Sequence, residues 1–233
     1  MGEMQGTPAR SRRDFLRAAG VGGVTLAVGG VLAACADDSR GALEPGAPSL
    51  AVVDGNTVTL DFRSDIDVLN YAYALEQLEA AFYTQVVATP GFETRFAPEE
   101  QTVLRDLRDH EIAHREFFRA ALGTSAIPDL SVNFSSIAFT SRSAVLNVAQ
   151  TFEDLGVGAY NGAGRYLTNE AFLLVAGKIV SVEARHAAAI RAIRNGNYTT
   201  AFAPDALDPA LTPAQVLAAA RGFVVQNIVV TNA

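Results

Sequence analysis

The sequence predicts an all-α protein: a four-helix bundle with a long crossover between its second and third helices, a small N-terminal β-hairpin and a C-terminal extension. Three observations predict this architecture. Four long segments carry apolar residues at helical spacing, links of roughly ten residues or fewer join the helices within each pair, and the middle link, Thr124–Thr140, is much longer. Short links favour antiparallel hairpins, whereas the middle link, at roughly 3.3 Å per extended residue, can climb a bundle about 30 Å tall.

Turn and capping residues mark the ends of the predicted elements. Asp54-Gly55-Asn56 separates two apolar runs and predicts a β-hairpin over residues 50–62. Asp65 is the expected N-cap of the first helix, Pro98 lies in the first turn of the second, and Asn195-Gly196 ends the fourth. The helices are accordingly predicted at about 65–88, 98–123, 141–167 and 170–195, with a shorter helix at 212–221 and a β-prone tail at 223–230.

The first 35 residues have the composition of an export signal. The run Ser11–Leu16 (SRRDFL) resembles a twin-arginine signal, and it precedes an apolar stretch, Ala18–Ala34, that is too short for a stable membrane span. Leu32–Cys35 (LAAC) resembles a bacterial lipobox, which implies cleavage before Cys35 and lipidation of its thiol. Two alternatives stay open: an ordinary secretion signal with a chance arginine pair, and a soluble periplasmic protein in which Cys35 is lost or unmodified.

These motifs predict a division of the chain and a location. Residues 1–34 are the expected export signal, 35–49 the lipid anchor and tether, and 50–233 the folded domain, with its bundle at about 65–196 and its extension at 197–233. We expect twin-arginine export to the periplasm or cell surface and attachment to the membrane through the lipid.

Composition excludes two classes of function. The formal net charge is −7 and Lys178 is the only lysine, which argues against nucleic-acid binding by clustered basic residues. Cys35 is the only cysteine, so the chain has no internal disulfide, no Cys-based zinc site and no CxxC redox pair.

Each predicted helix carries one glutamate where the apolar stripe calls for a core residue. In the second and fourth helices a histidine follows three positions later, on the same helical face. In the first and third, a tyrosine follows seven positions later, again on the same face. The residues concerned are Glu76 and Tyr83, Glu111 and His114, Glu153 and Tyr160, and Glu183 and His186. Their offsets from the helix ends predict that each hairpin holds its two glutamates level with each other.

Four carboxylates in an apolar interior would each cost several kcal/mol in desolvation, besides repelling one another. Two divalent cations would cancel their four negative charges. Carboxylate and imidazole ligands suit Fe, Mn or Zn, and the absence of thiolate ligands disfavours Cu(I) and Fe–S clusters.

With this pattern the sequence resembles the ferritin-like superfamily over roughly Asp61–Gly196. In particular it looks like the exported ferritin-like domain proteins called desiccation-related, which have a stretch like Leu75–Ala80 (LEQLEA). The resemblance implies two divalent metal ions, Fe as first choice and Mn as second, with Glu111 and Glu183 bridging them. It implies six metal ligands: Glu76, Glu111, His114, Glu153, Glu183 and His186. Tyr83 and Tyr160 would lie beside them, able to hydrogen-bond a ligand or donate an electron.

The function that the resemblance implies is extracytoplasmic oxidoreductase chemistry at a di-metal site, as a ferroxidase or peroxide scavenger using O2 or H2O2 in stress protection. The alternatives are non-catalytic metal binding or storage, and a structural desiccation- or stress-associated domain. Because a lipid tether on every subunit fits poorly with a closed cage, we expect at most a small homo-oligomer. The chain lacks the cysteines of a rubredoxin-type Fe–S donor.

Four sets of residues have competing interpretations. Glu79 competes with Glu76 as a ligand. The first and third helices repeat the same glutamate–tyrosine spacing, however, and the position of this repeat that corresponds to Glu79 is Gly156. His110 is about 100° round the helix from Glu111, which favours the surface or a place beside a ligand. Tyr83 and Tyr160 have plain core packing as the alternative. The glycines of the third helix lack the spacing of a phosphate loop, which favours close helix packing.

Overall fold

The structure, a computed structural model, describes residues 49–196 and 202–233. Its strands are β1 (Val52–Asp54), β2 (Thr57–Asp61) and β3 (Asn227–Thr231). Its helices are α1 (Asp65–Ala88), α2 (Phe92–Arg95), α3 (Pro98–Leu122), α4 (Arg142–Ala163), α5 (Glu170–Asn195) and α6 (Pro213–Ala220). The four long helices, α1, α3, α4 and α5, are those that the sequence predicts, so the predicted all-α bundle is confirmed.

Some of the predicted features lie outside the described residues. These are the export signal, the lipid-anchor cysteine Cys35, nearly all of the tether, and residues 197–201 of the C-terminal extension. In the part of the chain that the structure describes, no helix combines the length and apolar character needed to cross a membrane.

The bundle consists of two hairpins, α1 with α3 and α4 with α5, joined by the predicted crossover. An ion pair between Arg142 in the first turn of α4 and Glu100 in the first turn of α3 shows that these two helices begin at the same end of the bundle. Arg142 also donates to the carbonyl of Ile193, in the last turn of α5, at 2.8 Å. The crossover must therefore run the full height of the bundle, as its length predicts.

Side-chain amides of α1 hold the crossover against the bundle. Asn70 accepts a hydrogen bond from the backbone N–H of Ile127 at 2.8 Å and donates to the carbonyl of Ser125 at 2.9 Å. Gln77 accepts from the N–H of Leu130 at 2.7 Å. These bonds satisfy two backbone N–H groups and one carbonyl of the crossover, and so hold it against the bundle.

Capping residues define both ends of α5, and a polar side chain ties its start to that of α1. The side chain of Asn169 caps α5 by accepting from the N–H of Ala171 at 2.9 Å, and Gly196 ends that helix with φ +62°. The expected N-cap of α1 was wrong by one residue. Ser64 occupies the cap, while the carboxylate of Asp65 accepts from the N–H groups of Thr168 and Asn169 at 2.9 and 2.8 Å. Asp65 thus joins the start of α1 to the start of α5.

The small sheet has a third strand. β1 and β2 form the predicted antiparallel hairpin, with Gly55 at φ +56° in its turn. The β-prone tail forms β3, which pairs in parallel with β2 and places Val230 beside Leu60. Since Val58 and Leu60 are 2% and 0% exposed, the C-terminal strand completes a sheet whose inner face packs on the helical core.

The glycines of α4 allow a very close approach by the C-terminal extension. The N–H of Leu211 donates to the carbonyl of Gly158 at 2.8 Å. A Cβ on Gly162 would lie only 1.7 Å from the backbone oxygen of Leu211, so any side chain there collides with main chain. At these two positions the structure shows the close packing that the glycine pattern favours.

We expect Gly162→Ala to lower the free energy of unfolding by about 1–3 kcal/mol, because overpacking forces the backbone around Leu211 to move. Urea denaturation followed by circular dichroism measures this loss. Gly177→Ala in α5 is the matched control, since among the described residues no atom lies within 4 Å of a Cβ built there. That control should be neutral or stabilise by up to about 1 kcal/mol; equal losses in both variants would contradict the packing argument.

Candidate metal centre

Six polar side chains meet in the interior of the bundle, and all four long helices contribute. They are Glu76 of α1, Glu111 and His114 of α3, Glu153 of α4, and Glu183 and His186 of α5. The four glutamates are 0% exposed, and His186 is 4% exposed. The structure thus brings together all six residues that the sequence analysis selects as ligands.

The helical spacing explains how a short stretch of each helix supplies this cluster. Glu111 and His114, like Glu183 and His186, are three residues apart and so project from the same face on adjacent turns. Two turns away, Leu104 of α3, Leu146 of α4 and Ile190 of α5 are each 0% exposed. The cluster therefore lies in a core that is otherwise apolar.

The donor atoms form two groups that share two carboxylates. One group contains Glu76, Glu111, His114 and Glu183, and the other contains Glu111, Glu153, Glu183 and His186. Within each group, one donor atom from every residue lies within 4.8 Å of the others. Glu111 and Glu183 belong to both groups, which is the arrangement needed to bridge two neighbouring ions.

Distances between these atoms fit coordination better than hydrogen bonding. The Nδ1 of His114 lies 3.0 Å from Glu183 Oε1, and the Nδ1 of His186 lies 2.8 Å from Glu111 Oε1 and 3.4 Å from Glu153 Oε2. Despite their proximity, these buried atoms have no hydrogen-bond partner among the described residues. Ligands about 2.0–2.2 Å from one divalent ion are themselves roughly 3 Å apart, so the residues present fit two such ions.

Two tyrosines each donate a hydrogen bond to one oxygen of a glutamate that belongs to only one group of donor atoms, either Glu76 or Glu153. The hydroxyl of Tyr83 on α1 donates to Glu153 Oε1 on α4 at 2.5 Å, and the hydroxyl of Tyr160 on α4 donates to Glu76 Oε1 on α1. The remaining oxygens, Oε2 of Glu76 and of Glu153, are left for the centre. Burial, together with the nearby carboxylates, raises the pKa of both tyrosines, so both keep the proton that they donate.

The metal-free site needs protons to balance its charge. Burial and the nearby Glu183 raise the pKa of Glu111 well above its usual range, and burial raises the pKa of Glu153 to about 7. Burial alone would raise the pKa of Glu183, but close contacts with His114 and His186 outweigh it and lower the pKa to about 2. Conversely, carboxylate contacts outweigh burial and raise the pKa of His186 to about 12. Metal ions binding here would displace protons from these ligands.

Glu79 is a fifth buried carboxylate, on the turn of α1 after Glu76, and it is 4% exposed. It fits because Gly156 lacks a side chain: a Cβ there would lie 3.2 Å from Glu79 Oε1 and 3.5 Å from Glu183 Oε2. In the part of the chain that the structure describes, neither group of donor atoms includes Glu79. Of the two competing glutamates, Glu76 is therefore the one in the cluster. Burial and four neighbouring glutamates raise the pKa of Glu79.

The sequence favours the surface or a place beside a ligand for His110, and in the structure this histidine is both exposed and in contact with a residue of the cluster. Its side chain is exposed, yet its Nδ1 lies 2.8 Å from the Nε2 of His186. The two rings are nearly coplanar, at an angle of 15°, and meet edge to edge with centroids 5.1 Å apart. Helical spacing alone could not reveal this contact, because it depends on how α3 and α5 pack.

The fold and this cluster define a class of protein: a four-helix bundle with a long crossover and a buried carboxylate–histidine centre suited to divalent metals. Comparison with known families agrees, since the ferritin-like domain family matches residues 64–196, more than half of the chain. The chain therefore belongs to the ferritin-like family, as its sequence resemblance predicts. No curated protein matches it significantly. The narrower relationship, to exported desiccation-related proteins, stays a prediction.

Proposed function

We propose that this protein binds two divalent metal ions, Fe as first choice and Mn as second, and uses them as an oxidoreductase. The observation that carries the proposal is the convergence of buried carboxylate oxygens and imidazole nitrogens without hydrogen-bond partners in the described part of the bundle. Buried carboxylates without compensating charge are strongly destabilising. Two divalent ions are the simplest compensation for four of them.

Each ion would have two ligands of its own, and the two ions would share two bridging glutamates. Glu76 and His114 would hold one ion, Glu153 and His186 the other, and Glu111 and Glu183 both. An iron or manganese pair, when bound, would supply the two electrons that, with two protons, reduce H2O2 to two molecules of water, and a second H2O2, oxidised to O2 with release of two protons, would return those electrons. In a ferroxidase the electrons would come from Fe2+, the substrate, and the oxidant would be O2.

The surrounding residues have roles of their own in this proposal. Tyr83 and Tyr160 fix the orientation of Glu153 and Glu76 by hydrogen bonds, and they lie close enough to the cluster to supply an electron. Glu79, whose pKa is raised, holds a proton, and its carboxyl group lies near that of Glu183 in the space that Gly156 leaves free of a side chain. The side chain of His114 is 13% exposed, and small oxidants would approach the centre from this side.

We further propose that the protein works outside the cytoplasm, in protection against peroxide or metal stress. The SRRDFL run and the LAAC sequence ending at Cys35 support twin-arginine export followed by lipid attachment to the membrane. That export route carries folded proteins, so the bundle would acquire its metals before it leaves the cytoplasm.

The test is elemental analysis of the chain purified without added metal, followed by O2 and H2O2 consumption with and without Fe2+ or Mn2+. We expect about two metal ions per chain and metal-dependent consumption of one oxidant over many turnovers. Metal without consumption would reduce the function to binding or storage. Absence of bound metal, and no uptake on reconstitution, would overturn the proposal altogether.

A further inference from the structure

His110 makes an unusual contact for an exposed side chain: it hydrogen-bonds to a residue inside the metal-binding cluster. Its Nδ1 lies 2.8 Å from the Nε2 of His186, whose other ring nitrogen faces Glu111 and Glu153. The contact joins α3 to α5, and the two rings are nearly coplanar and meet edge to edge, so that the two nitrogens point at each other.

The chemistry of the two rings fixes the direction of this hydrogen bond. A histidine that binds a metal through Nδ1 must carry its proton on Nε2. The Nε2–H of His186 therefore donates to the Nδ1 of His110, and His110 carries its own proton on the nitrogen that faces away. A hydrogen bond of this kind sets the tautomer and the ring orientation of a ligand.

The second histidine of the cluster lacks this support. The Nδ1 of His114 faces Glu76, Glu111 and Glu183, much as the Nδ1 of His186 faces its own carboxylates. Across residues 49–196 and 202–233, however, no hydrogen bond holds the Nε2 of His114. The two groups of donor atoms thus have the same residue types but differ in this hydrogen bond, which His186 has and His114 lacks.

We propose that His110 is a positioning residue that holds His186 as an Nδ1 ligand and makes the metal position of Glu153 and His186 the tighter of the two. This inference rests on the proposed di-metal function. Its consequence is that the two ions bind with different affinities although their ligand sets are alike, and that the difference originates in a residue that touches neither ion.

The test is a Co2+ titration of the metal-free full chain, comparing wild type with two substitutions. His110→Phe keeps an aromatic ring beside the edge of His186 but removes the hydrogen-bond acceptor. His110→Asn restores an acceptor, because its Oδ1 occupies nearly the position of the histidine Nδ1. We expect wild type to bind two Co2+ in separate steps, His110→Phe to weaken one step by about 10–100-fold, and His110→Asn to recover most of that loss.

A second measurement separates positioning from packing. In Zn2+-loaded protein labelled with 15N, the Nε2–H of His186 should be protected from exchange in wild type and His110→Asn and should exchange rapidly in His110→Phe. Glu99→Gln, a change at the exposed start of the same helix, should leave both measurements unchanged. Unchanged affinity in His110→Phe, or equal weakening of both steps, would overturn the inference. A wild-type chain that takes up no Co2+ would instead overturn the proposed function, and this inference with it.

Discussion

Replacing Glu111 with alanine is expected to remove most of the bound metal and at least about 100-fold of any metal-dependent oxidant consumption. Glu111 contributes to both groups of donor atoms, and both of its carboxylate oxygens are buried without a hydrogen-bond partner in the described part of the chain. Its removal therefore takes one ligand from each ion at once. Three carboxylates are then left to balance the four positive charges of two divalent ions. Loss of a residue that hydrogen-bonds to a metal ligand lowers metal affinity or activity by about 10–100-fold, so loss of a shared ligand should lower them more.

Glu99→Ala is the matched control, because it is the same substitution in the same helix at an exposed position in the first turn. It should change neither the metal content, measured by elemental analysis, nor the rate of O2 or H2O2 consumption. Glu183→Ala should match Glu111→Ala, since Glu183 is the other carboxylate common to both groups. Similar metal content in the Glu99 and Glu111 variants would remove the assignment of the site.

Much of this centre follows from rules that act within one helix. Glu111 and His114 share a face because they are three residues apart, and capping signals such as Asn195-Gly196 fix the height of each glutamate in its helix. Together with the apolar stripe of each helix, those two kinds of information point to the six clustered residues, and the lengths of the links point to the crossover. Because these rules act within one helix, they can be applied without knowing how the helices pack.

The features that the sequence does not reveal all depend on contacts between distant elements. Tyr83 donates a hydrogen bond to a glutamate of α4 and not to one of its own hairpin. His110 on α3 forms a hydrogen bond with His186 on α5. The parallel pairing of β3 with β2 joins residues at opposite ends of the domain. Likewise, Gly156 looks like a simple gap in the repeat until Glu79 is seen to fill the space beside it.

Metal removal is expected to lower the thermal unfolding midpoint by about 15 °C or more at pH 7. Each ion that binds only the folded chain adds about 4 kcal/mol when its free concentration is roughly 1,000 times its dissociation constant. Two ions would add about 8 kcal/mol, and in a domain of this size 1 kcal/mol corresponds to about 2–4 °C. Calorimetry of the chelator-treated chain, with and without Mn2+ restored, measures the difference.

The pH dependence of this difference has a definite sign. Glu153 has a folded-state pKa raised to about 7, so the metal-free chain loses stability as the pH rises from the ordinary glutamate range towards 7. His186 has a folded-state pKa raised to about 12, so its stabilising contribution is complete below its ordinary pKa and declines above it. Metal ions compete with these same protons, so the gain from metal should grow steadily between about pH 5 and pH 8.

Glu111→Gln separates charge compensation from other effects of metal. The substitution keeps the shape of the side chain but removes one buried carboxylate whose pKa is already raised by burial. The metal-free variant should therefore be at least as stable as the metal-free wild type near pH 7, and Mn2+ should no longer raise its midpoint. A midpoint that responds to Mn2+ equally in the variant and the wild type would mean that the ions bind elsewhere. A metal-free wild type as stable as the loaded chain would mean that the buried carboxylates do not need cations.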